Sequence, residues 1–123
     1  MHFLKILKFW FPVVLYSGII FYISSLPNLR APVQVQFSDK LMHILEYTPF
    51  GFLLARAFYG TKGRGFFKHV LGWVLVVSFV YGLSDEYHQS FVIGRDSSAA
   101  DALADALGGL LGGWLLKSIY VCH

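Results

Sequence analysis

Four apolar stretches, at about 9–24, 41–59, 69–89 and 98–121, take up most of a 123-residue chain. Each reaches or approaches the length that crosses a hydrocarbon core of ~30 Å once flanking aromatic and polar residues are counted. With 56% hydrophobic and only 14% charged residues, a soluble domain of this size has too little interior to hide its apolar surface. The excess must face lipid. The expected fold is therefore an all-α integral membrane protein, a single domain over 1–123 with four transmembrane helices in an antiparallel bundle.

Punctuation between the stretches supports this division. Pro27, Asn28 and Pro32 mark a loop after the first stretch, and Ser38 followed by Asp39 reads as an N-cap opening the second. Pro49 falls inside that second helix and predicts a kink near Glu46. A glycine-rich, basic connection runs from Gly60 to Gly65, Gly94 marks a turn, and Ser98 with Asp101 forms a capping box ahead of the fourth stretch. No small-residue cleavage site follows the first stretch, so a retained helix is expected in place of a signal peptide.

Orientation follows from the basic residues. With the N-terminus inside, Lys5, Lys8, Arg56, Lys62, Arg64, Lys68 and Lys117 are cytoplasmic, and only Arg30, Lys40 and Arg95 lie across the membrane. The positive-inside rule then places both termini in the cytoplasm. All seven acidic residues fall at the start of helix two, the end of helix three and the start of helix four. In an antiparallel bundle those ends share one side, which this orientation makes non-cytoplasmic.

The candidate polar site is drawn from these ends. Asp39, His43, Glu46 and Phe50 are spaced four, three and four residues apart, which groups them within ~60° of one helix face. A charged residue inside a span is costly when it faces lipid, so that stripe is expected to turn inward. Asp101, Asp105, Gly108 and Gly112 repeat the same spacing on helix four, and the overlapping G-x-x-x-G glycines are expected to serve close helix packing. On helix three Glu86 and Gln89 are the inward candidates, whereas Asp85 and His88 lie on a neighbouring face and suit a solvated helix end equally well. Arg95 is the arginine nearest this cluster, and its planar fork suits a carboxylate or phosphate. Two basic residues, Lys40 and Arg95, face seven acidic ones, so a bare phosphate would be repelled unless a metal, a proton or a cationic group offsets the charge.

Taken in order, Asp39-Lys40-x-x-His43 with Tyr47 and Gly51, then Glu86-x-x-Gln89, Gly94-Arg95 and Asp101-x-x-x-Asp105-x-x-Gly108, resemble the VanZ-like family of bacterial membrane proteins. The likeness covers about 39–113. Many members carry asparagine where this chain has Asp105, a departure that bears on whether this position acts as a neutral hydrogen-bonding group. The resemblance implies a cell-envelope protein of the bacterial cytoplasmic membrane, associated with low-level resistance to teicoplanin-type glycopeptide antibiotics. It implies no settled reaction, since one fold hosts many functions.

Three classes of function stay open on these residues. The first is binding of a membrane lipid headgroup, a lipid-linked cell-wall precursor or a glycopeptide antibiotic at the polar cluster. The second is an enzyme in which His43 and Glu46 act as base and acid on a lipid-linked substrate. The third is a proton- or ion-coupled transporter. No cofactor motif is evident, although Asp39, His43, Glu46 and Asp101 offer ligands for a divalent metal. The single Cys122 cannot form an intrachain disulfide, the scattered basic residues do not suggest nucleic acid, and nothing specifies an oligomeric state.

Overall fold

The computed structural model describes residues 2–25, 36–92 and 99–122, and their side chains except those of 36–39, Arg64 and Cys122. Four helices follow in order: α1 (His2–Ser25), α2 (Gln36–Lys62), α3 (Val70–Gln89) and α4 (Ala99–Cys122), with a 3₁₀ turn at Arg64–His69 leading into α3. Among the described residues there is no strand. The loop expected at 26–38 and the caps at Ser98 and Gly94 lie wholly or partly outside the described residues. α2 begins at Gln36, two residues ahead of the expected cap at Ser38. Neither Gln36 nor Phe37 opposes a helix, so winding is free to start earlier.

Consecutive helices run antiparallel. Phe9, near the start of α1, lies under Arg56 and Gly60 near the end of α2, and Ser24 at the end of α1 meets Asp85 and Gln89 at the end of α3. α2 and α4 run side by side in the same direction, from Lys40 beside Asp101 at one end to the stacked rings of Tyr59 and Tyr120 at the other. α2 also continues through Pro49 without a break. The hydroxyl of Tyr16 donates to the carbonyl of Glu46, three residues before that proline, in the turn where a missing N–H loosens the backbone ladder.

Three helical segments are long and apolar enough to cross a membrane: His2–Ser25, Gly65–Gln89 and Ala99–Val121. The expectation of four such spans is corrected here, because α2 is not among them. At 27 residues it is about 40 Å long, so length is not what it lacks. Its polar residues, Asp39, Lys40, His43, Glu46, Arg56 and Lys62, lower its apolar character. Of these, His43 is buried and Glu46 half-buried, where α2 packs against α1, α3 and α4. The outward faces of all four helices carry apolar surface, with Phe3, Val14, Tyr22, Leu45, Trp73, Val80, Leu107 and Trp114 all exposed.

The α2–α4 contact is the tightest of the bundle. A Cβ at Gly51, Gly108 or Gly112 would overlap backbone of the facing helix, at Gly109, Ile44 and Thr48 respectively. Glycine therefore sets the spacing. Inside the bundle the apolar core includes Val13, Ile20, Tyr47, Phe50, Leu54, Val74 and Leu116. Tyr47, Phe50 and Tyr81 group their rings, with centroids 5.2–6.2 Å apart.

Candidate functional site

The start of α2, the end of α3 and the start of α4 converge at one end of the bundle, where an apolar core gives way to polar side chains. His43, Glu86, Asp101 and Asp105 are each no more than 6% exposed. Nδ1 of His43 lies 2.8 Å from Oδ1 of Asp105. Its other ring nitrogen, Nε2, is 3.8 Å from Oδ2 of Asp101. Lys40 donates to Asp101 at the rim. One ligand atom from each of His43, Glu86 and Asp105 falls within 4.8 Å of the other two, so this His/Glu/Asp group is capable of coordinating a metal.

The backbone explains why Asp105 can be so deep. Gly82 of α3 packs directly on it, and a Cβ there would stand 2.9 Å from Oδ2 of Asp105. Oδ2 itself is buried with no hydrogen-bond partner among the described residues. Tyr47 lies one turn beyond His43 on the same face of α2, and its hydroxyl is likewise buried without a partner among the described residues. The charges that act on this hydroxyl are, in order, those of Asp105, Asp85 and Glu46. A buried polar atom left unpaired costs about 1–3 kcal/mol. Two of them at this end of the bundle mark a place for a polar guest.

A second polar group adjoins the first. Ser24 of α1 donates to Oδ1 of Asp85, and Nε2 of Gln89 lies 3.3 Å from both Ser24 Oγ and Asp85 Oδ2. Asp85 is 3% exposed, so its reading as a solvated helix end gives way to burial: α1 covers the side of α3 that the spacing left open. His88 is half-buried, stacked on Phe21 at 4.1 Å and 2.8 Å from Ser25 Oγ. Ser24 was not singled out from the sequence, where two serines ending an apolar run carry no signal.

The remaining expected site residues divide as follows. Glu46 is half-buried beside α1, where it acts on Tyr16, and the carboxylate that meets His43 Nδ1 is Asp105 of α4. The side chain of Asp39 and the whole of Arg95 lie outside the described residues. Gly108 and Gly112 stand on α4 against the backbone of α2, one and two turns along from the polar group.

Comparison with known families matches residues 3–120 to the model described as VanZ/LLP1, and the chain belongs to that family. No curated protein and no solved structure matches it.

Proposed function

We propose that this VanZ/LLP1 family member is a binding protein of the bacterial cytoplasmic membrane that takes the polar headgroup of an envelope lipid or a lipid-linked saccharide at the His43–Glu86–Asp101–Asp105 end of the bundle. Occupation of a cell-wall precursor there would lower susceptibility to teicoplanin-type glycopeptides. The observation that carries the reading is the convergence of four buried, ionisable side chains from three helices at one end of an otherwise apolar bundle. Charged groups in such a setting are expensive, and they mark ligand or ion sites more often than packing. The orientation inferred from the basic residues supports a non-cytoplasmic site, where such lipids are displayed.

Mass spectrometry of lipids that co-purify with the protein tests this. Asp101→Asn keeps the shape at the rim and removes a charge, and Arg95→Lys removes a planar fork while keeping the charge. Both are expected to insert at wild-type abundance and to retain several-fold less lipid. Equal retention by wild type and both variants would overturn the reading. Teicoplanin susceptibility that is the same with and without the protein would remove the antibiotic part alone.

A further inference from the structure

We propose that His43, Glu86 and Asp105 form a binding site for one divalent transition-metal ion, of the Zn²⁺ or Mn²⁺ class. The geometry carries it first. The three side chains come from α2, α3 and α4, all are buried, and their ligand atoms lie within 4.8 Å of one another. Ligands at about 2.1 Å from an ion stand about 3 Å apart when adjacent and about 4 Å apart when opposite. The 2.8 Å separation of His43 Nδ1 and Asp105 Oδ1 already fits an adjacent pair. Glu86, on a flexible side chain and within 4.8 Å of both, is the member that closes to complete the set.

The tautomer is provided for as well. Coordination through Nδ1 leaves the ring proton on Nε2, and the acceptor facing that nitrogen is Asp101 Oδ2 at 3.8 Å. An outer carboxylate that orients a ligating histidine in this way is the usual companion of such sites. Lys40 in turn holds Asp101.

A second observation, the buried hydroxyl of Tyr47, also points to a guest. Tyr47, 0% exposed, one turn from His43 on the same face of α2, has a hydroxyl that is partnerless among the described residues, as is Oδ2 of Asp105, the charge that acts on it most. Binding of Asp105 through both oxygens brings Oδ2 onto the ion as well. Water on one of the ion's open positions supplies the partner for the tyrosine. One imidazole with two carboxylates selects a borderline ion over Ca²⁺, which takes six to eight oxygens.

The site stands on this geometry alone, so it holds or fails whether or not the lipid reading is right. The test uses the full chain purified in detergent, stripped with chelator and titrated with Zn²⁺ or Mn²⁺, with bound metal measured by elemental mass spectrometry. About one ion per chain is expected, with a saturable rise in the thermal unfolding midpoint. X-ray absorption at the metal edge should show one imidazole nitrogen among oxygen ligands. Glu86→Gln and Asp105→Asn should weaken binding at least tenfold, while His88→Gln, which removes the half-buried histidine at the same end, should leave it unchanged. Absence of saturable binding by the wild type would overturn the proposal. So would equal loss in His88→Gln, or an absorption spectrum without an imidazole nitrogen. Should a ligand variant fail to fold, the wild-type stoichiometry, midpoint shift and spectrum still decide. Metal binding that persists without co-purifying lipid would sink only the lipid reading, and lipid without metal only this one.

Discussion

The pairing of His43 with Asp105 concentrates the energetics of the polar end in two side chains. In metal-free protein His43 Nδ1, 2.8 Å away, is the partner of Oδ1 of a fully buried carboxyl group. His43→Leu should therefore destabilise the protein by about 3–5 kcal/mol, because a buried charge is left without its partner. His43→Leu combined with Asp105→Leu should recover much of that loss, since an apolar pair of similar bulk avoids the desolvation penalty altogether. Denaturant unfolding in detergent with chelator present measures both, and a single-variant cost below about 1 kcal/mol would show that this pair does not hold the end together. Much of the pair was legible beforehand. Spacing along α2 singled out His43, and the gathering of carboxylates at three helix ends pointed to Glu86, Asp101 and Asp105. Periodicity cannot say which helix covers which flank. Asp85 suits a solvated helix end on spacing alone for that reason, and it is buried because α1 supplies Ser24 beside it. The partnerless hydroxyl of Tyr47 was equally hidden, since its placement depends on where a long ring ends between helices.

Among the helices, α2 shows most clearly why an apolarity count misses an element. His43 is buried and Glu46 half-buried where α2 meets its neighbours, so α2 falls short of the continuous hydrophobicity that marks α1, α3 and α4 while still packing against all three. The 3₁₀ turn at Arg64–His69 also escaped notice. Gly63, at φ 83°, ends α2 and reverses the chain within one residue, so the basic connection is shorter than the glycines at 60 and 65 suggested. The glycines of α4 were legible from their spacing, and the facing backbone explains their requirement. Gly112→Ala puts a methyl group into the backbone of Thr48. It is expected to force α2 and α4 apart at a cost of about 1–3 kcal/mol. Gly18→Ala on α1 is the matching control, because nothing lies within 4 Å of the added carbon. Thermal midpoints of the two variants in detergent check this: a clear fall for Gly112→Ala and no fall for Gly18→Ala. Equal midpoints would mean that the helix pair slides without penalty.

For the molecule as a whole, the two ends of the bundle differ in chemistry, and this difference bears on which way it sits in the membrane. One end holds the buried carboxylates. At the other, Arg56 and Lys8 lie over the ring of Phe9 at 4.8 and 5.6 Å, and Lys117 lies over Phe67 at 5.1 Å. Long basic side chains drawn along aromatic rings suit the headgroup level, where the ring is half in lipid and the charge reaches water. Seven of the ten basic residues belong to this end or to the segments that leave it. By the positive-inside rule this end, which carries both termini, is expected to be the cytoplasmic one. Acidic residues contribute little to that rule, so the carboxylates at the opposite end provide no independent vote on orientation. Alkaline phosphatase, active only outside the cytoplasm, should be inactive when fused after Gly63 and active when fused after Gly94. A cytoplasmic reporter should give the reverse at both positions. Phosphatase activity at Gly63 with none at Gly94 would invert the molecule and place the polar site in the cytoplasm. The metal proposal would survive that result unchanged, whereas a lipid-linked precursor displayed on the outer face would be out of reach, and the ligand would have to be sought among headgroups of the inner leaflet.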